Sequence, residues 1–296
     1  MSSIAHSAVR VSRPTSLAEA LDQLADAAVR DAPLRPLAGG TDIMVEANHG
    51  GLRQRDFLDL SGLKAALGGF TWAHDGSLRI GAMCTYATLL ADARSHAELP
   101  ILMQAAGLVG ATQIQARGTF AGNVENGSPA ADAAPALLAL DAVVHLQSSR
   151  GERTVPLEAY YTGYRSTARR ADELISALTV PKQPGPTREQ FFRKVGTRAF
   201  QAITKVGLSA RITWLDDAIA DTRIVATSMA ATICRARHLE NALRGLTTLD
   251  QATVAGLRRA QDADLRPLDD VRSTAAYRAE VFHRLVCQAI RETRPS

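Results

Sequence analysis

Cysteine is scarce in this 296-residue chain: Cys84, Cys234 and Cys287 are odd in number and far apart. No C-x-x-C pair or C-x-x-C-H run occurs, so the thiolate spacing that holds iron–sulfur clusters, structural zinc or c-type haem is missing. Scattered thiols fit a reducing compartment better than a disulfide framework. The histidines (His6, His49, His74, His96, His145, His238 and His283) show neither H-x-x-x-H nor H-E-x-x-H spacing, which disfavours a metal centre. Long apolar runs are also absent. None approaches the roughly 18 residues that span a bilayer, and Met1 to Arg13 lacks the apolar segment of a secretory signal. Cytoplasm is therefore the expected location, with no membrane span. The net charge of +4 is spread along the chain, without a Lys/Arg block beside an aromatic platform, so no nucleic-acid partner is expected. Neither G-x-G-x-x-G nor G-x-x-x-x-G-K-[ST] occurs, so neither a Rossmann site nor a P-loop is supported.

What is present reads as α+β. Ser16-Leu-Ala-Glu19 has the form of a capping box, and Leu17, Leu21, Leu24 and Ala28 then fall on one helix face. Strand signals fall at Phe57–Leu60, Leu78–Ala82 and Leu174–Val180, and helix signals at Pro100–Val109 and Ala133–Leu140. Val143–Leu146 and Thr154–Leu157 flank Ser148–Glu152 as a hairpin. Three prolines and a glycine in Pro181–Pro186 break regular structure and mark a domain boundary. Beyond it, strand-like pieces (Phe191–Val195, Leu208–Trp214, Ile224–Met229) precede helix-like ones. The last, Thr274–Ile290, aligns Tyr277, Val281, Leu285 and Ala289. Asp216-Asp217 and Asp269-Asp270 read as turns or caps, because neighbouring side chains diverge too far to act as acid/base dyads.

Two segments carry phosphate-binding ingredients. Ala38-Gly39-Gly40-Thr41-Asp42 removes two Cβ atoms, so the backbone can turn sharply and approach a ligand. If a helix follows, successive N–H groups face one concavity suited to an anion. About eighty residues later, Gly118-Thr-Phe-Ala-Gly-Asn123 offers small residues, a threonine hydroxyl and an amide. Two such loops could clamp a pyrophosphate from opposite sides, although each alone is more often a tight turn.

These segments occur in a recognisable order. Pro14-Thr-Ser-Leu-Ala-Glu-Ala-Leu21, Leu37-Ala-Gly-Gly-Thr-Asp42, Ile80-Gly-Ala-Met-Cys-Thr-Tyr86, Arg117-Gly-Thr-Phe-Ala-Gly-Asn123, Ser128-Pro-Ala-Ala-Asp132, Gly163-Tyr-Arg165, Asp172-Glu-Leu174, Val180-Pro181 and Phe192-Arg-Lys-Val-Gly-Thr-Arg198 follow one another. Nearly end to end, the chain resembles the FAD-binding subunits of molybdenum hydroxylases of the xanthine dehydrogenase and carbon monoxide dehydrogenase type. The resemblance implies a two-part FAD-binding domain of the PCMH/vanillyl-alcohol-oxidase-like type, at 1–61 and 62–183. A C-terminal α+β domain with a small antiparallel sheet and helices would follow at 187–292.

The resemblance also implies a site. Pro36, Leu37, Ala38, Gly39, Gly40, Thr41, Asp42 and Ile43 would line the adenosine diphosphate half of FAD. Thr119, Gly122 and Asn123 would make the opposing phosphate and ribityl contacts. Asp132 would accept from a sugar or ribityl hydroxyl, although capping the following helix is an equal reading of that residue. The backbone near Ile175 would approach the isoalloxazine ring, and Lys194 would contact the flavin. Two places depart from the family pattern: Ala121-Gly122 stands where Gly-Gly is usual, and Gln115-Ala116-Arg117 precedes it in place of an Arg-Asn pair. No catalytic residue or metal ligand is expected on this chain. A large partner subunit would carry the molybdopterin cofactor and a small one two [2Fe–2S] clusters; the expected assembly is a heterotrimer, with pairing into a dimer of heterotrimers left open. The competing readings are a stand-alone FAD oxidase or reductase of the same fold and a flavin-free structural subunit.

Overall fold

A computed structural model describes residues 9–186 and 189–295; the expected domain edges at Met1 and Thr187, and the first eight residues of the amino-terminal segment, lie outside that range. The described residues begin with β1 (Arg10–Ser12), α1 (Leu17–Val29), β2 (Arg35–Leu37), α2 (Thr41–Asn48) and β3 (Asp56–Asp59). The three strands form a parallel sheet in the order β1-β3-β2. Ser16 caps α1 by accepting from the Glu19 amide at 3.2 Å, and the Glu19 carboxylate reaches back to the Thr15 amide at 2.7 Å. Leu21 and Leu24 of the expected face are buried, but Ala20 and Ala27 complete it rather than Ala28.

Next come α3 (Lys64–Leu67), β4 (Phe70–Trp72), β5 (Leu78–Gly81), α4 (Tyr86–Leu90), α5 (Ala93–Glu98), α6 (Pro100–Gly107), α7 (Thr112–Gln115), α8 (Phe120–Asn126) and α9 (Ala133–Ala139). The segment read as a loop at Gly118–Asn123 is thus mostly helix. After them run β6 (Val143–Ser148), β7 (Gly151–Pro156), α10 (Leu157–Tyr160), β8 (Tyr161–Gly163), β9 (Ser166–Thr167) and β10 (Leu174–Val180). Five of these strands form an antiparallel sheet in the order β4-β5-β10-β6-β7. β10 lies at its centre, and its near-continuous apolar run suits a strand covered on both faces. One core cluster spans the parallel and antiparallel sheets, from Ala20 to Val180, and takes in Phe192, Val225 and Ile233 from beyond the proline break.

The remainder holds β11 (Gln190–Val195), β12 (Val206–Leu215), β13 (Ala218–Thr227), β14 (Cys234–Arg235), α11 (Arg237–Leu243), α12 (Gln251–Asp264) and α13 (Ala275–Thr293). Its four strands form an antiparallel sheet in sequence order. Asp216-Asp217 makes the two-residue turn between β12 and β13, with Asp216 at φ 52°. Asp270 gathers the amides of Arg272 and Ser273, while Asp269 accepts from the Ala275 amide at 2.5 Å.

α13 is rotated from the expected face. Phe282, Leu285, Val286, Ala289 and Ile290 are buried, whereas Tyr277 is 45% exposed. Arg278 shares the inward side with Leu285 and Ala289, its guanidinium donating to the Ser228 carbonyl at 2.8 Å and to Asp270 at 2.6 Å.

Candidate functional site

The first glycine pair lies between the end of β2 and the start of α2. Gly40 occupies the N-cap with φ 75° and ψ 2°, a left-handed conformation that glycine adopts without steric cost. Gly39 is constrained by space instead. A Cβ on it would stand 1.8 Å from the Arg117 carbonyl oxygen and 3.0 Å from the Gly118 nitrogen. The two glycine segments are therefore in backbone contact. Pro36, Leu37, Ala38, Thr41 and Ile43 are half-buried around this junction. Asp42, in the first turn of α2, is exposed at its surface, yet desolvation raises its carboxyl above its ordinary value against the opposing charges of Arg165 and Arg35.

On the opposing side, Thr119 is 3% exposed and caps α8, its Oγ1 accepting from the Gly122 amide at 2.9 Å. Ala121 is buried in the core beside Phe120 and Val124, so the protein interior absorbs its methyl group. Glu125 anchors the far end of α8, accepting from the Tyr160 hydroxyl at 2.5 Å and from Arg169 Nε at 2.7 Å.

Asn123 and Asp132 exchange the roles that sequence suggests for a helix start. Asp132 stands at the N-cap position of α9 but makes no capping bond. Asn123 Oδ1 accepts from the Ala134 amide at 3.0 Å in its place. The Asp132 carboxylate turns to Lys194 Nζ at 2.6 Å and to the Thr204 hydroxyl at 2.6 Å. Burial raises the Asp132 carboxyl above its ordinary value, opposed by the charge and hydrogen bond of Lys194 and by the Thr204 hydroxyl.

Lys194 is only 6% exposed along its side chain, and it also donates to the Leu108 carbonyl at 3.3 Å. Two of its three N–H donors are thus engaged within the protein. Ile175 is buried at a β-bulge between β10 and β6, and the neighbouring Ser176 carbonyl accepts from the Ala82 amide at 3.0 Å.

The fold thus brings Gly39 to Gly118, Thr119 to Gly122, and Asp132 to Lys194. Two contributors escaped sequence reasoning. Thr204 had no motif to mark it. Thr85 pairs with Thr119 in an isolated antiparallel bridge, and its only signal was its place at the end of the Ile80–Tyr86 segment. Cys84 offers no reactive thiolate: it is 1% exposed, and burial pushes its thiol up to about 12.

Residues 7–183 match the family model of the FAD-binding domain in molybdopterin dehydrogenase, and residues 191–293 match that of the CO dehydrogenase flavoprotein C-terminal domain. The chain belongs to the FAD-binding subunits of the molybdenum hydroxylases. This FAD-binding subunit is 30% identical over 280 residues to the xanthine dehydrogenase FAD-binding subunit of Escherichia coli O157:H7, covering 95% of this chain and 94% of that one. It is 29% identical over 288 residues to the carbon monoxide dehydrogenase medium chain of Afipia carboxidovorans, covering 94% of each.

Among solved structures, a chain of the reconstituted CO dehydrogenase from Oligotropha carboxidovorans superposes with a TM-score of 0.87 at 26% identity over 97% of each chain. A chain of quinoline 2-oxidoreductase from Pseudomonas putida 86 shares the fold, with a TM-score of 0.84 at 20% identity over 97% of this chain and 98% of that one. The architecture is therefore α+β, an FAD-binding domain followed by a C-terminal flavoprotein domain, and the chain is part of an oxidoreductase. The residues fit the dinucleotide: the missing side chain at Gly39 lets the Arg117–Gly118 backbone close against it, and small residues line both segments where a phosphate backbone needs close approach. Among the described residues no helix is long and apolar enough to cross a membrane.

Proposed function

We propose that this chain is the FAD-carrying electron-transfer subunit of a molybdenum hydroxylase. It takes electrons from the [2Fe–2S] clusters of a small partner subunit and passes them to a final acceptor. A large partner subunit holds the molybdopterin cofactor and hydroxylates the substrate. The contact of Gly39 with the Arg117–Gly118 backbone carries this reading, because it joins two phosphate-binding segments into one cradle.

Pro36 to Ile43 would hold the adenosine diphosphate half, and Thr119, Gly122 and Asn123 the phosphate and ribityl part. The backbone at Ile175 and the ammonium of Lys194 would stand near the ring. When bound, FAD supplies the exchange between one-electron delivery and two-electron release. The surrounding residues orient it: Thr119 and Asn123 fix the starts of α8 and α9, and Asp132 holds Lys194 so that its remaining N–H donor is directed rather than mobile. The chain's three dispersed cysteines supply no cluster ligands, so electrons must enter from a partner. A heterotrimer in the cytoplasm is the assembly this reading implies.

The test is co-purification of the tagged chain with its neighbours, followed by visible spectroscopy. The expected preparation holds flavin and bleaches on substrate addition only when both partners are present. Substrate-driven bleaching of the isolated chain would instead establish a stand-alone oxidase or reductase. An intact complex without flavin absorbance would establish a structural subunit.

A further inference from the structure

Tyr86 opens α4 and is 2% exposed, yet among the described residues its hydroxyl has no hydrogen-bond partner. Its ring is fixed on two sides. A Cβ on Gly118 would stand 3.1 Å from Tyr86 Cε2 and 3.4 Å from Cδ2, so the ring lies directly on the second glycine segment. Phe120 meets it edge-on, with ring centroids 4.6 Å apart. The Tyr86 amide donates to the Gly118 carbonyl at 3.2 Å, and the Thr85–Thr119 bridge ties the adjoining backbones together.

Cε2, the ring atom nearest Gly118, adjoins the carbon that bears the hydroxyl, so the hydroxyl end of the ring lies at the second phosphate-binding segment. Burial, with the charges of Asp42 and Asp132, holds the phenol well above its ordinary pKa, so it keeps its proton at neutral pH and can donate. The hydroxyl is reachable from outside rather than sealed in the core, so a ligand oxygen can take the place of water on it.

We propose that the Tyr86 hydroxyl donates a hydrogen bond to an oxygen in the pyrophosphate–ribityl stretch of bound FAD, and so helps to set flavin affinity. This inference rests on the flavin-carrying function given above. It assigns Tyr86 a ligand contact, beyond packing against Gly118 and Phe120.

Tyr86→Phe in the assembled complex tests it, because the ring stays and only the hydroxyl goes. The complex is stripped of flavin and titrated with FAD while flavin fluorescence is followed. Loss of one donor to a ligand oxygen is expected to weaken binding about tenfold. The melting temperature of the stripped variant is expected to match the wild type. Equal FAD affinity in both proteins would overturn the proposal, as would a matching fall in the stripped complex's melting temperature, which would mark a structural role. A wild-type complex that takes up no FAD would overturn the flavin-carrying function as well.

Discussion

Replacing Gly39 with alanine puts a methyl group into a space already held by backbone. The new Cβ would begin 1.8 Å from the Arg117 carbonyl oxygen, and real Cβ contacts do not fall below 3.0 Å, so the two segments must separate by more than about 1 Å. No flexible side chain can yield, because the obstructing atoms belong to the Arg117–Gly118 peptide. Overpacking of this kind costs at least about 2 kcal/mol, which corresponds to a fall of about 4–8 °C in Tm for a unit of this size. The separation also opens the cradle, so flavin content should fall further than stability alone requires. The assay is differential scanning calorimetry of Gly39→Ala with its flavin-to-protein absorbance ratio. Gly107→Ala is the control, since nothing lies within 4 Å of a Cβ there. It should leave both readings unchanged or raise Tm slightly. A Gly39→Ala protein that melts like the wild type and keeps its flavin would refute the contact and the cradle together.

Other expectations follow from the same geometry. Glu173 is 3% exposed; burial alone would raise its carboxyl, but hydrogen bonds from Arg153 and the Arg170 amide, with both guanidinium charges, hold it below its ordinary 4.5. Its stabilisation is therefore complete above about 4.5 and is lost as pH falls through the lower folded value. Tm measured against pH should fall less steeply below that point in Glu173→Gln. Asp141, at φ 55°, lies within 3.3 Å of Arg211, 3.0 Å of Arg223 and 3.6 Å of Arg235. Asparagine tolerates that backbone, so Asp141→Asn isolates the charge and should cost about 1–2 kcal/mol by urea denaturation, a modest figure because the carboxylate is partly exposed. Thr119→Ala should cost about 1 kcal/mol and reduce flavin retention on dialysis, whereas Thr119→Ser should restore both.

Local physics was legible before the structure. The Ser16 cap and the strand at Leu174–Val180 each depend on neighbours within a few residues, and pattern alone finds them; the helix after Gly40 stood in the sequence only as a condition. Partner choice across the chain was not legible. Asp132 looked equally like a helix cap, yet Asn123 takes that task and releases the carboxylate to a lysine 62 residues away. Likewise the inward turn of Arg278 depends on Ser228 and Asp270, which lie outside its own helix. Tyr86 carried too little signal to separate packing from binding, because an aromatic beside a glycine serves either purpose. The resemblance to one family supplied the order of the motifs. It did not supply the exchange between Asn123 and Asp132, which follows only from where α8 and α9 meet.

The ion pair between Asp132 and Lys194 also constrains how the gene can be cut. Its two halves come from opposite sides of the Pro181–Pro186 segment, and each is enclosed well enough that losing the other strands a charge away from water. An amino-terminal fragment ending at that segment would carry an orphan acid, and the complementary fragment an orphan base. A hybrid assembled from two relatives at the same junction must inherit a matched acid and base, or it will leave an unpaired charge between α9 and β11.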